Sequence, residues 1–345
     1  MTDAPFATLR PCLAMVAAAA LAGCASNPVS APMASDSMPA AMTDTTSPVV
    51  LVDALNGVFG KHAARASHAK GMCFSGQFQT AADAKTLTRA RMFEAGRSTP
   101  VIGRFSVGGG NPKAADNARS VRGIAVRATD GNERLDWVFV SAPHFFAQTP
   151  TQFAEFLKVR APDTATGKPN PEAIAAFSKA NPATTRQAAY LGSQPVPASF
   201  GTVPYWSTNA FIASNSAGKT QAIRWRFEPV AGRVGLSDDE AKAKGADFLR
   251  AELAERLAKG AVVFDVMAQL AQPGDQLLDP TDPWPADRAE RLMGRLVIDR
   301  VADAACDRET FIPTSLPAGL APSNDPVLQA RAASYAVSLG RRLAP

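Results

Sequence analysis

The chain has 345 residues, of which 46% are hydrophobic and 19% are charged, a composition typical of globular proteins. Its length suits one large domain or two smaller ones. The net charge of +5 is mild and no run of Lys and Arg stands out, so the sequence lacks a nucleic-acid signature and suits an anionic ligand better.

The N-terminal segment is expected to be a targeting segment rather than part of the folded domain. Arg10 precedes the apolar run 13–21, which is too short for a comfortable membrane span and is typical of a signal peptide. The run ends in Leu-Ala-Gly-Cys, which resembles a lipobox with Cys24 as the lipidated residue; the alternative is ordinary cleavage. We therefore expect a periplasmic protein, anchored to the outer membrane through Cys24 or else soluble. The expected division is a signal peptide over 1–23, a disordered tether over 24–48 and a folded domain over 49–345.

The rest of the chain alternates between helical and strand-like patterns. Helices are predicted over 50–63, 150–159, 171–192 and 237–259, the last opened by a capping box at Ser237. Strands are predicted over 72–79, 88–94, 99–108, 122–129, 134–141, 208–214, 220–229, 261–270 and 292–301. Many strands at regular spacing, with helices after them, suggest a closed antiparallel barrel with helical additions.

The final stretch, 325–345, combines a strong helix start with a polar face. Asp325 is a good N-cap and Pro326 suits the first helical position. The residues that share one face of this helix are Arg331, Tyr335, Ser338 and Arg342. A guanidinium one turn from a phenol favours the phenolate, which is a known ligand of haem iron. A Tyr in an Ala-rich helix is more commonly a packing residue, so its role depends on the rest of the chain.

Several short motifs follow one another after residue 50. They are His68-Ala-Lys-Gly71, Arg104-Phe-Ser106, Arg122-Gly123-Ile-Ala-Val126, Asp279-Pro-Thr-Asp-Pro-Trp284-Pro285 with Gly294-Arg-Leu-Val-Ile-Asp-Arg300 after it, and Arg331-Ala-Ala-Ser-Tyr335. In this order and spacing they resemble the haem catalase superfamily, and more closely its short catalase-related peroxidases. The resemblance implies an α+β fold, a catalase-like antiparallel eight-stranded β-barrel with helical additions. It also implies a haem buried between the barrel and the C-terminal helix.

The resemblance implies a role for each matched position. His68 would be the distal histidine, and Ser106 would hydrogen-bond it and fix its orientation. Tyr335 would be the proximal iron ligand of a b-type haem, with Arg331 holding it ionised. The propionate partners would be Arg65, Arg104 and Arg342, and the aromatic residues near the distal pocket would be Phe145 and Phe153.

One departure from the family pattern favours peroxidase over catalase activity. Catalases carry two successive Asn where this chain has Val140 and Ser141. Val cannot donate a hydrogen bond, and a Ser hydroxyl has a shorter reach than an Asn amide. The chain also ends soon after Tyr335, where catalases continue with further helices. We therefore expect a haem-dependent peroxidase that reduces hydrogen peroxide or organic hydroperoxides with small organic electron donors, with only weak catalase activity.

Three other functions stay open at this stage. The first is a true catalase, and the second is an enzyme that rearranges lipid hydroperoxides. The third is a non-enzymatic envelope lipoprotein that binds haem or an apolar ligand, which would need neither His68 nor the pair formed by Arg331 and Tyr335. The expected partners are peroxide and a small reductant, without nucleic acid. The membrane is reached only through a lipid on Cys24, and a homodimer is the candidate assembly.

The remaining cysteines and ring-bearing residues are given no part in the chemistry. Cys73 and Cys306 are either buried free thiols or a disulfide, because the spacing decides nothing. His62 is expected on the surface of the first helix, and His144 could face either way. Trp284 is expected to pack rather than to relay electrons.

Overall fold

The computed structural model describes Asp44, residues 46–302, Cys306 and residues 308–343. The expected signal peptide and most of the tether, including Cys24, lie outside these residues, so the targeting prediction stays a prediction. None of the helices in this described portion is both long and apolar enough to cross a membrane.

The described residues form seven α-helices and twelve β-strands. The helices are α1 (Pro48–Phe59), α2 (Pro150–Lys158), α3 (Pro171–Ala180), α4 (Arg186–Ser193), α5 (Asp238–Lys244), α6 (Leu249–Lys259) and α7 (Pro326–Leu343). The strands are β1 (Gly71–Thr80), β2 (Ser98–Val107), β3 (Arg122–Asp130), β4 (Glu133–Val140), β5 (Val196–Pro197), β6 (Tyr205–Trp206), β7 (Phe211–Ser214), β8 (Thr220–Pro229), β9 (Gly235–Leu236), β10 (Val262–Leu270), β11 (Glu290–Val301) and β12 (Leu320–Pro322).

Eight of these strands close into an antiparallel barrel, which confirms the predicted fold. Their order is β10-β11-β1-β2-β3-β4-β6-β8, and β8 pairs back to β10. Strands β7 and β12 extend the sheet beyond β8. Aromatic side chains fill the interior, where the rings of Phe105 and Phe200 stack with centroids 5.1 Å apart. Closure pairs the edges of all eight strands.

Strand β2 shows how the barrel carries polar groups on its outer face. Phe105 is completely buried inside the barrel. Arg104 and Ser106 flank it in sequence and therefore point to the opposite face, because side chains alternate along a strand. Both residues line a cavity outside the barrel.

Glycine and proline shorten three of the predicted helices. The predicted helix 171–192 is interrupted at Pro182, which has no N–H to continue the helical hydrogen bonds, and so forms α3 and α4. The predicted helix 237–259 is divided at Gly245, whose φ is +75°. The first helix ends at Phe59 because Gly60 has a φ of +80°. The capping box at Ser237 is confirmed.

The predicted strand 88–94 is wrong. This segment is a loop with a short 3-10 turn at Arg91–Phe93. Its apolar pattern comes from Met92 and Phe93, which are fully buried against the barrel core. Thr88 fixes the loop by donating from Oγ1 to the carbonyl oxygen of Gly319 over 2.9 Å.

Candidate active site

A cavity of about 460 Å³ lies between the outer face of the barrel and helices α1, α2, α4 and α7. Its volume is within the range of roughly 300–1,000 Å³ typical of ligand and cofactor pockets. Every residue predicted for the site lines it: Arg65, His68, Arg104, Ser106, Phe145, Phe153, Arg331, Tyr335 and Arg342. The fold therefore brings together residues from the whole length of the domain.

His68 lies before β1 in a backbone conformation that side chains rarely adopt. Its φ is +53°, the one positive value for a non-glycine residue in the described chain. Such a conformation costs about 1–3 kcal/mol and persists where surrounding contacts enforce it. Arg104 supplies such contacts, donating from Nη1 to the His68 carbonyl oxygen and from Nη2 to that of Ala69, both over 2.9 Å. Arg104 thus holds the loop that presents His68.

The imidazole of His68 is fixed by two neighbours. Nδ1 lies 2.9 Å from Ser106 Oγ. A Cβ on Gly123 would fall 2.6 Å from both of these atoms, so only glycine leaves room for them. Burial, and then the positive charges of Arg104 and Arg331, lower the pKa of His68 from its usual ~6.5 to about 4. His68 is therefore neutral at physiological pH and can accept a proton.

Helix α7 carries the second polar group of the cavity. Arg331 donates from Nε to the phenol oxygen of Tyr335 over 2.8 Å, and from Nη1 to Asn209 Oδ1 over 3.0 Å. Asn209 in turn donates from Nδ2 to Asp325 Oδ2 over 2.6 Å. These four side chains form one hydrogen-bonded row that ends at the phenol oxygen. Sequence reasoning missed Asn209, because its link to α7 is made only by the fold.

Asp325 has a second task at the start of α7. Its Oδ1 accepts from the backbone N–H groups of Val327 and Leu328, over 2.8 and 3.3 Å, which confirms the predicted N-cap. Burial raises the pKa of Asp325 to about 6, although its hydrogen bonds act in the other direction.

The other two predicted arginines enter the cavity from different elements. Arg65 follows α1, and its Nη2 donates to the carbonyl oxygens of Cys306 and Glu309, over 3.0 and 2.9 Å. Arg342 lies in the last turn of α7. Together with Arg104 they bring three guanidinium groups to the cavity lining.

A disulfide links the cavity wall to the barrel. Cys73 on β1 and Cys306 are joined, with their Cα atoms 5.6 Å apart, so the disulfide alternative is the one that the structure contains. Phe311 packs on this disulfide and lines the cavity beside Thr310. Because Cys306 also accepts from Arg65, the disulfide backs one wall of the site.

Aromatic rings form another wall. Phe145 and Phe153 stack with centroids 6.2 Å apart, and both line the cavity. Phe146 and Phe156 extend the cluster, with ring centroids 4.5 Å apart. These rings make this side of the cavity apolar.

The two positions that depart from the catalase pattern have different surroundings. Val140 lines the cavity and offers it no hydrogen bond. Ser141 is buried outside the cavity lining, where its hydroxyl accepts from the backbone N–H of Arg122 over 2.8 Å. The position where catalases carry the first Asn is thus apolar in this chain.

Three residues without a predicted chemical role, Trp284, His144 and His62, lie outside the lining of the cavity. Trp284 donates from Nε1 to the Gln276 carbonyl oxygen over 2.7 Å, as expected of a packing residue. His144 is buried outside the cavity lining, with its ring 5.9 Å from that of Tyr190. His62 lies three residues after the end of α1, because the helix ends at Phe59, four residues earlier than predicted.

Comparison with known proteins agrees with this geometry. Residues 43–345 match the family model described as Catalase. The chain belongs to the catalase family. Its catalase-family relatives include a catalase-related peroxidase of Synechococcus elongatus, 38% identical over 86% of this chain and 88% of the relative. A second catalase-related peroxidase, from Mycolicibacterium paratuberculosis, is 33% identical over 87% of this chain and 96% of the relative.

Solved catalases share the barrel. A fungal catalase and catalase A of Saccharomyces cerevisiae each superpose with a TM-score of 0.75 at 26% identity over 82% of this chain. The chain spans 60% and 62% of their respective lengths. Family membership, together with the two catalase-related peroxidases, makes this chain an oxidoreductase that acts on peroxide.

Proposed function

We propose that the chain is a haem-dependent peroxidase that reduces hydrogen peroxide or organic hydroperoxides with electrons from small organic donors. The observation that carries this proposal is the 2.8 Å contact from Arg331 Nε to the Tyr335 phenol oxygen, in a cavity that also contains neutral His68. The guanidinium holds the phenol oxygen by a charge-assisted hydrogen bond, and a tyrosine oxygen is a known ligand of haem iron. A barrel that only carried an apolar ligand would need neither this pair nor the strained histidine.

The donor set of the cavity fits a haem. Tyr335 would supply the iron ligand, and Arg65, Arg104 and Arg342 would face the two carboxylates of the porphyrin. The phenylalanine wall suits its apolar rings. The sequence has no Cys-x-x-Cys motif for covalent attachment, which favours a b-type haem. When bound, the haem supplies the redox centre at which peroxide is reduced.

His68 would move the proton of the reaction. In the tautomer whose Nδ1 donates to Ser106 Oγ, Nε2 carries the lone pair that accepts a proton from the bound peroxide. Cleavage of the O–O bond needs a proton on the departing oxygen, and the imidazolium of His68 can return it there. Ser106 keeps the ring oriented for both transfers, and Arg104 keeps the loop in place.

Val140 supports peroxidase over catalase turnover. Disproportionation needs a second peroxide molecule to be held as the reductant, and an amide at this position would help to hold it. Val140 provides no donor, and Ser141 does not line this cavity; its hydroxyl accepts from the backbone N–H of Arg122. We therefore propose that oxygen release is weak and that organic molecules are the principal reductants.

We also propose an envelope location with a lipid on Cys24, a tether over 24–48 and the haem domain after it. The disulfide between Cys73 and Cys306 supports an oxidising compartment such as the periplasm, because cytosolic proteins rarely keep structural disulfides. Analysis of the mature N-terminus by mass spectrometry tests the lipid directly, since a lipidated Cys24 adds acyl mass and a cleaved form does not.

The function is tested on the full chain produced with haem available, beside its Tyr335→Phe and His68→Ala variants. We expect a ferric Soret band typical of phenolate ligation in the parent chain, shifted or lost in Tyr335→Phe. His68→Ala is expected to keep its haem and to lose peroxide turnover by about 10²–10⁴-fold. A folded parent chain that takes up no haem, or a His68→Ala variant with unchanged turnover, would overturn the proposal.

A further inference from the structure

A second cavity of about 90 Å³ lies next to the main one. Leu191 of α4 lines both cavities, so a single side chain separates them at this point. The apolar lining of the second cavity is Pro195, Pro197, Val203, Pro204 and Val234, and its neutral polar side chains are Ser120, Ser141, Gln194 and Thr202. Its volume is far below the roughly 300 Å³ at which ordinary cofactor sites begin, so it suits one small ring.

Two aromatic residues bridge the cavities. Tyr190 on α4 lines the second cavity, and Trp206 on β6 lines the main one. Their rings meet edge to face with centroids 6.2 Å apart. Trp206 also pairs with Val140 in the barrel, which places it beside the peroxide-binding side of the site proposed above. The geometry offers a direct path for electrons between the two cavities.

We propose that the second cavity binds a small neutral phenol as electron donor, and that Tyr190 and Trp206 carry its electrons singly to the main cavity. This inference rests on the peroxidase function proposed above. It adds the class of the reductant, the place where it binds and the residues that connect it to the redox centre.

The charges around the second cavity favour a neutral ligand. Arg119 and Arg233 both line it, but each already binds a carboxylate. Arg119 donates to Asp238, and Arg233 donates from Nε and Nη2 to Glu228, both over 2.8 Å. Apolar proline faces with a few hydroxyl and amide groups match an aromatic ring that carries one hydroxyl.

The electrons and protons balance in single steps. Each phenol loses one electron and its O–H proton and becomes a phenoxyl radical; the proton passes to water. Reduction of hydrogen peroxide to two water molecules takes two electrons and two protons, so two phenols are oxidised per peroxide. Burial raises the pKa of Tyr190, so its phenol is protonated at neutral pH. Tyr190 therefore releases a proton to water when it is oxidised and takes one up from water when the donor reduces it.

The first test looks for the relay itself. The chain contains three Tyr and four Trp, so a protein radical can be assigned by substitution. The haem-loaded full chain is mixed with one equivalent of hydrogen peroxide without donor, frozen and examined by electron paramagnetic resonance. We expect a tyrosyl signal that is lost in Tyr190→Phe and reduced at least tenfold in Trp206→Phe. Trp284→Phe is the matched control, because Trp284 lines neither cavity, and it should keep the signal.

The second test addresses the binding site with guaiacol, a neutral phenol. Val234→Trp fills the second cavity, and Val230→Trp is its control. Both side chains are about half exposed, at 49% and 52%, but Val230 lines neither cavity. We expect Val234→Trp to raise the KM for guaiacol at least fivefold with little change in kcat. Trp206→Phe should instead lower kcat at unchanged KM.

The outcomes separate the two proposals. An identical radical in Tyr190→Phe overturns the relay. An equal KM for guaiacol in Val234→Trp and Val230→Trp overturns the binding site. Neither result affects the peroxidase function, as long as the parent chain still reduces peroxide. A parent chain that reduces no peroxide with any donor overturns the peroxidase function itself.

Discussion

The phenol of Tyr335 and the guanidinium of Arg331 are joined one helical turn apart, over 2.8 Å. The same guanidinium binds Asn209, which binds the N-cap residue Asp325. The start of α7 therefore fixes the group that polarises the phenol in the middle of the helix. Local spacing brings Arg331 and Tyr335 together, and the contact from Asn209, in a loop distant in sequence, fixes their geometry.

Removal of the guanidinium should weaken the hold on haem. Arg331→Leu deletes a charge-assisted donor to the phenol oxygen, and such bonds contribute about 1.5–3 kcal/mol. We expect the free energy of haem binding to become less favourable by this amount and the Soret band to shift in wavelength. The measurement is competition for haem against a second haem-binding protein.

Arg341→Leu is the control on the same helix. Arg341 pairs with the exposed residue Asp53 and does not line the cavity, so haem affinity should stay within about 0.5 kcal/mol of the parent value. Equal losses in Arg331→Leu and Arg341→Leu would show that the effect comes from the stability of the helix.

The features of the site that could be predicted are those fixed by residues close together in the sequence. The spacing of Arg331 and Tyr335 places both on one helical face, and the alternation of Arg104 and Ser106 places both on the outer face of one strand. The barrel itself was predictable because its strands are separated by clear turn residues. The roles carried over from the resemblance stay predictions, although all of those side chains line one cavity.

The parts that could not be predicted depend on long-range contact. Asn209 is separated from Arg331 by 122 positions and meets it only in the folded chain. The disulfide joins positions 233 apart, and no spacing rule selects such a pair. The break at Gly245 also follows from the fold, because a single glycine inside a helical pattern is compatible with a continuous helix.

Gly123→Ala should damage the site without removing any functional group. The added methyl would lie 2.6 Å from His68 Nδ1 and Ser106 Oγ, so the pair must separate. We expect kcat/KM for peroxide to fall at least tenfold, with haem retained, in stopped-flow assays. Gly57→Ala on α1 is the control, since nothing lies within 4 Å of its methyl and alanine favours a helix. Unchanged kinetics in Gly123→Ala would contradict the assigned role of the pair.

The pH dependence should show the lowered pKa of His68. With this pKa at about 4, kcat/KM for peroxide should stay level from neutral pH down to about 5 and reach half its value near 4. An acid limb centred near 6.5, the usual value for histidine, would contradict the burial of this ring.

His68 should also affect stability. Between pH ~6.5 and ~4 the unfolded chain binds a proton at this residue that the folded chain does not, so the free energy of unfolding falls as pH falls through this window. His68→Gln lacks this pH-dependent loss, so the difference in the free energy of unfolding between the variant and the parent chain should grow toward pH ~4. Asp325 acts in the opposite direction, since its raised pKa makes its contribution decrease as pH rises from ~4 to about 6.

Loss of the disulfide should lower stability and loosen the wall of the cavity. Replacing both Cys73 and Cys306 with Ala removes a link between positions 233 apart, and such losses typically cost about 2–5 kcal/mol. The melting temperature of the double variant should fall, and dithiothreitol should then have no further effect on it. Haem affinity should fall as well, because Arg65 binds the Cys306 carbonyl oxygen. A double variant as stable as the parent chain would show that the disulfide is dispensable.

Val140→Asn tests the balance between the two peroxide reactions. Val140 lines the cavity and pairs with Gly123 across β3 and β4, so a side chain there lies beside the strand position that supports His68. An amide at this place can donate to a second peroxide molecule, and one such bond contributes about 0.5–1.5 kcal/mol. We expect oxygen release, followed with an oxygen electrode, to rise by about 2–10-fold relative to guaiacol oxidation. Val138→Asn is the matched control, because Val138 lines the same cavity two positions earlier on β4. An equal rise in both variants would mean that a more polar cavity, rather than a donor at Val140, limits oxygen release.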